Sequence, residues 1–165
     1  MENMQTDKRE IFIKMVLSNW QTQTGRLNAL FDQLSDEELS RETAPGRNTG
    51  VYLLGHMAAV HDAMFTLLGF RERLYPELDE VFVDNPDKSG LPKPPTGDLR
   101  VCWQQVSAAL EDHINTMQPD EWFKRHNSVS EEDFAKEPHR NKLNIIINRT
   151  NHLSTHLGQL TYLSK

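Results

Sequence analysis

Residues 140–164 read RNKLNIIINRTNHLSTHLGQLTYLS. Within them Leu143, Ile146, Thr150, Leu153, Leu157 and Leu160 recur three and four residues apart, the interval at which a helix of 3.6 residues per turn returns to one face. This a/d-type seam predicts a helix over about 140–164 that packs against other helices along its length. The same stretch sets His152 and His156 at i and i+4, with Cβ atoms about 5–6 Å apart on one face.

Three further stretches carry the same period. Over about 96–117 the apolar positions are Leu99, Cys102, Val106, Leu110, Ile114 and Met117, with Asp98 in the first turn and Gln118-Pro119 as the stop. Over about 50–70 they are Leu53, Met57, Val60, Met64, Leu67 and Leu68, a broad stripe that suits a buried helix. Asn48 or Thr49 offers its N-cap, after a loop whose Pro45, Gly46 and Asn48 are turn residues. Over about 7–34 they are Phe12, Val16, Trp20, Leu27, Leu30 and Leu34, followed by Ser35 and Glu38 in the capping-box pattern of a short helix.

Between the second and third stretches, residues 71–95 hold Pro76, Pro86, Pro92, Pro94 and Pro95 and read as a stiff connection. It is longer than antiparallel neighbours need, so it is expected to cross the end of a bundle. Residues 119–138 carry Trp122, Phe123 and a small helix from Ser130 with Asp133 at the capping position. No stretch alternates with β-branched or aromatic enrichment, so no sheet is expected. The prediction is an all-α, four-helix bundle forming a single domain over 1–165.

Composition narrows the function. The chain has 165 residues, 37% hydrophobic and 25% charged, with 8 Gly and 8 Pro, which suits a packed domain rather than a disordered one. With 18 basic and 24 acidic residues the net charge is −6, so nucleic acid is not an expected partner. Cys102 is the one cysteine and has no partner for an internal disulfide; it reads as a core thiol. The start, MENMQTDKREIF, lacks the apolar run of a secretory leader, and no apolar run nears the roughly 20 residues that span a bilayer, so no membrane partner is expected and the cytoplasm is the expected location.

Two histidines on one helix make half of a metal site, since imidazole nitrogens bind zinc at about 2.0–2.1 Å. A third ligand must come from another helix, and His56, among Leu53, Met57 and Val60, is the best placed. His61 lies about 140° round the helix from His56 and cannot share its ion. His113 is a buried, hydrogen-bonded histidine or a fourth ligand, the former being favoured, while His126 and His139 are expected in solvent. Spacing excludes several rivals. Leu153 follows His152 where a zincin needs Glu, and none of the seven histidines has Glu three residues before it, as di-iron bundles require. Neither a phosphate-binding Gly-rich loop nor a nucleophile elbow occurs.

The segments LLGHMAAVHDAMF and NHLSTHLGQLTYL resemble the DinB/YfiT-like superfamily, in order and over almost the whole chain, with His56, His152, His156 and the Gly158-Gln159 pair all matching. The resemblance implies a bundle of up-down-down-up topology, commonly a homodimer, that holds a divalent ion, zinc or nickel, on those three histidines. It also implies a small-molecule substrate and chemistry that uses a low-molecular-weight thiol such as bacillithiol or mycothiol, hence a transferase. A metal-dependent hydrolase is the alternative, as is a non-catalytic metal-binding stress-response module.

Three neutral imidazoles leave at least one open position on the ion, where water is acidified or a thiolate binds directly. Around them, Asn148 and Arg149 lie one turn before His152, and Arg149 either holds an anionic substrate or faces solvent. Tyr52, one turn before His56, and Gln159, one turn after His156, either hydrogen-bond a ligand or substrate or cap the core. Ile13, Phe31 and Leu163 are apolar residues to spare for a dimer contact.

Overall fold

A computed structural model of the chain describes residues 7–164. The first six residues, part of the segment read above as free of a leader, lie outside the described residues. The described chain is all-helical, with α1 Lys8–Gln33, α2 Asp36–Leu39, α3 Gly50–Leu67, α4 Leu78–Phe82, α5 Thr96–Thr116, α6 Glu131–Lys136 and α7 Lys142–Leu160. Short 3₁₀ turns follow at Pro119–Phe123 and Thr161–Leu163. Among the described residues there is no strand, only two isolated bridges, Glu42 with Thr49 and Arg125 with Asn141. Among the described residues no helix is long and apolar enough to cross a membrane.

Helix ends obey local chemistry. Asp7 caps α1 by accepting from Arg9 N, and Ser35 and Glu38 close a reciprocal capping box on α2. Thr49, rather than Asn48, caps α3 by accepting from Tyr52 N at 3.2 Å. Ser130 accepts from Asp133 N at 3.1 Å to start α6. The second stretch ends at Leu67 instead of Phe70 because Gly69 takes a left-handed φ of +73°, the usual helix stop for a residue without Cβ. At the end of α1, Arg100 donates to the carbonyls of Phe31 and Leu34, the latter at 2.6 Å, satisfying oxygens that have no partner inside the helix.

The four long helices pack mainly as two pairs, α1 along α7 and α3 along α5, with α3 also meeting α7 and α1 meeting α5. One apolar cluster joins Leu27, Leu53, Met57, Leu99, Leu153 and Leu160, and a second joins Trp20, Phe65, Leu110 and Ile146. Two expectations change. Phe12, placed on the inner face of the first stretch, is 56% exposed, because the core engages α1 most fully from Trp20 onward. Phe31 and Leu163 are buried, so the apolar residues left outside are Ile11, Phe12, Met15 and Ile147 on α1 and α7.

The Pro-rich connection contains α4, which period analysis did not pick out. Asp62, fully buried in α3, accepts from Leu74 N at 2.7 Å, Tyr75 N at 3.0 Å and Arg73 Nε at 3.0 Å. Arg73 reaches on to both carboxylate oxygens of Asp79 in α4, which with the Asp62 contact raises the guanidinium pKa despite its desolvation. A buried carboxylate with three donors is satisfied, and it fixes the chain's path out of α3. The ring of Phe82 then seats against Gly55, in space that a Cβ would occupy.

Candidate metal centre

His56 of α3 faces His152 and His156 of α7, so two helices supply the three rings. The Nε2 atoms of His56 and His156 each lie 3.1 Å from Nε2 of His152. All three nitrogens fall within 4.8 Å of one another, and each histidine is half-buried. Nitrogens at about 2.0–2.1 Å from a tetrahedral ion sit about 3.3 Å apart, so the two 3.1 Å separations to His152 suit neighbouring ligands of such a site.

The outer nitrogens set the tautomers. His56 Nδ1 is 2.7 Å from the Phe82 carbonyl, which can only accept, so the proton is on Nδ1 and Nε2 carries its lone pair inward. His156 Nδ1 lies 2.8 Å from Gln159 Oε1, which directs its Nε2 the same way. His152 Nδ1 is buried without a hydrogen-bond partner among the described residues. Two lone pairs therefore converge on a third imidazole nitrogen, an arrangement that a shared cation satisfies and a single proton does not.

Burial favours the neutral form of two of the rings, His152 and His56. Burial, aided by the charges of His156, His56 and Arg149, pushes the His152 pKa down to about 4. Burial also lowers that of His56, against the Phe82 hydrogen bond. Neutral imidazoles are the form that ligates.

The surrounding residues divide. Of the alternatives open to Gln159, the structure shows its Oε1 accepting from Nδ1 of His156. Tyr52 does not hydrogen-bond a cluster histidine. Its ring stacks on His56 with centroids 6.1 Å apart and its hydroxyl donates to Asn85 O at 2.7 Å, because the connection brings that carbonyl over α3. Asn148 is exposed and makes no hydrogen bond to the cluster. Arg149 is half-buried rather than in open solvent, and its charge acts on His56, His61 and His152.

The other histidines serve elsewhere. His61 is fully buried, stacked on Trp20 and edge-on to Trp103, with Nδ1 2.9 Å from Met57 O. His113 is not a ligand, and its neighbours are the rings of Phe65 and Phe70 rather than hydrogen-bonding groups. His126 is buried, not solvated, because its Nδ1 accepts from Ser128 N at 3.2 Å inside a turn. His139 is exposed as expected. The Phe82 carbonyl escaped the sequence reading; the signals for it were Asp62, a lone charge in an apolar helix, and the Leu78-x-x-x-Phe82 spacing.

Among known families, the model described as the DinB superfamily matches residues 19–160, a span that holds all three histidines. No curated protein matches the chain.

Proposed function

The chain belongs to the DinB superfamily, and from that premise we propose that it is a metal-dependent enzyme which transfers a group between a small-molecule substrate and a low-molecular-weight thiol. His56, His152 and His156 would hold the divalent ion, zinc or nickel. The observation that carries this reading is the pair of outer hydrogen bonds, Phe82 O on His56 and Gln159 Oε1 on His156, which aim two lone pairs at the nitrogen of His152.

When bound, the ion supplies Lewis acidity that lowers the pKa of a thiol or of water. The chain's own groups do the rest. Phe82 O and Gln159 keep protons on the outer nitrogens, Tyr52 covers one face of His56, and burial keeps His152 from taking a proton in the ions' place. No carboxylate or thiol of the described residues joins the cluster, which favours a thiol that needs only to be deprotonated over a hydrolysis that calls for a general base.

The same reading takes the chain as one domain over 1–165, a cytoplasmic homodimer. Its course is a four-helix bundle, up-down-down-up. This is supported by contacts that run in step between α1 and α7 but in reverse between α1 and α5, where Asn28 meets Trp103 and Gln21 meets Asn115. The exposed Ile11, Phe12, Met15 and Ile147 support a second copy at that face.

Metal analysis of untagged protein tests the centre. About one zinc or nickel ion per chain is expected, with loss in His152→Ala; an unchanged metal content in that variant removes the site. Turnover of electrophiles with thiol cosubstrates, abolished in His56→Ala, is the result expected of the transferase. Metal binding without turnover of any thiol-electrophile pair overturns the transferase and leaves the hydrolase and the non-catalytic module.

A further inference from the structure

Arg149 is a cation without a counter-ion among the described residues. It is half-buried on α7, and the one influence on its pKa is desolvation, which lowers it; no carboxylate of the described residues acts on the guanidinium. Of the other half-buried arginines, Arg73 and Arg100 are each tied to a carboxylate and Arg125 donates to the Val129 carbonyl, whereas Arg149 has neither kind of partner among the described residues. An unpaired guanidinium taken partly out of water is costly unless an anion completes it.

A place for that anion adjoins it. Arg149 lines an open pocket of about 380 Å³ with Ala63, Thr66, Leu67, Asn127 and Ser128. No acidic side chain of the described residues lines it. Asn127 donates one amide hydrogen to Thr66 O at 2.7 Å and retains a second, and Ser128 is an exposed residue that carries a hydroxyl. Ala63 is seven residues, two turns, beyond His56 on the same side of α3, and Arg149 is three residues before His152. At a rise of 1.5 Å per residue, Arg149 is thus about 5 Å along α7 from His152, and the pocket's α3 lining, Ala63 to Leu67, runs from about 10 to about 16 Å beyond His56.

We propose that this pocket binds the anionic oxygen group, a carboxylate or a phosphate monoester, of the small molecule whose other end reaches His56, His152 and His156. The planar guanidinium accepts either group in a two-point contact, with Asn127 and Ser128 as neutral donors at the rim. The link to a reacting end rests on the proposed metal-dependent activity. The anion site itself does not.

Isothermal titration of the metal-free full-length chain with succinate, methyl phosphate and uncharged succinamide tests it. One of the anions is expected to bind about tenfold or more tightly than succinamide, the worth of a charged hydrogen bond. Arg149→Met erases that preference, and Arg149→Lys keeps part of it. Tighter succinate identifies a carboxylate, tighter methyl phosphate a phosphoryl group. In the unmutated chain, the preferred anion also slows phenylglyoxal modification at Arg149, mapped by mass spectrometry, so the test stands even if a variant fails to fold. Equal binding of all three probes, an unchanged preference in folded Arg149→Met, or no protection of Arg149 overturns the assignment. Because metal is absent throughout, such a failure leaves the three-histidine centre standing, and a failed metal analysis leaves the anion site standing.

Discussion

Gln159 and His61 show how differently two polar side chains of this protein depend on their surroundings. Gln159 fixes the ring of His156 by one hydrogen bond from a position just past it on α7. Removing such an outer partner typically weakens metal binding 10- to 100-fold. Gln159→Leu is therefore expected to lower affinity for zinc by about that factor in a competition titration, with helix content unchanged. His61 does its work neutral. Burial holds its pKa at about 3, against 6.5 in the unfolded chain. Between those values the unfolded chain binds a proton that the native state refuses, so stability falls as pH drops through 6.5 towards 3. From pH 7 to pH 5 the loss is about 2 kcal/mol, at 1.36 kcal/mol per unit. In His61→Phe the difference between urea midpoints at the two pH values should shrink accordingly; an equal difference would show that other groups carry the acid sensitivity.

At the scale of elements, the short helix α4 joins the stability of the connection to the geometry of the metal centre. Asp62, Arg73 and Asp79 set its position, and its last residue hands a carbonyl to His56. Arg73→Met leaves the buried Asp62 carboxylate without its cation and is expected to cost about 3–5 kcal/mol by chemical denaturation. Gly55→Ala is the subtler probe, because its Cβ would overlap the Phe82 ring and push α4 away. About 1–3 kcal/mol of overpacking is expected, together with weaker metal binding. Unaltered affinity in folded Gly55→Ala would mean that Phe82 does not govern His56.

The four long helices were legible because each is about 18 residues or more and repeats its apolar face several times. The three histidines were legible because two share a helix at i and i+4. A five-residue helix makes little more than one turn, and the prolines around α4 read as plain connection, so periodicity could not find it. Main-chain acceptors such as Phe82 O leave no mark on residue type. The burial of His126 was missed for a related reason, since a turn that folds back on itself shelters a polar ring without any apolar pattern.

For the whole molecule, the centre ties α3 to α7, helices that otherwise pack chiefly against other partners. An ion that binds only the folded state stabilises it by about 2.7 kcal/mol at a concentration one hundred times its Kd. For a chain of this size that raises Tm by about 5–10 °C. Calorimetry should find such a rise with zinc or nickel, its reversal by chelator, and none in His156→Ala. Sedimentation tests the apolar face of α1 and α7 in the same preparation. A dimer that Ile147→Lys converts to monomer is expected, and a monomer at all concentrations excludes that interface.

The acceptor on His56 has a consequence for heredity. It is a peptide oxygen, and every amino acid that can stand at position 82 brings the same one. No codon change deletes it, and drift at that site is felt only through the ring that rests on Gly55. The tautomer of one metal-facing histidine is thereby guarded by the path of the backbone instead of by a residue, so a survey of side chains would pass over one of the centre's supports.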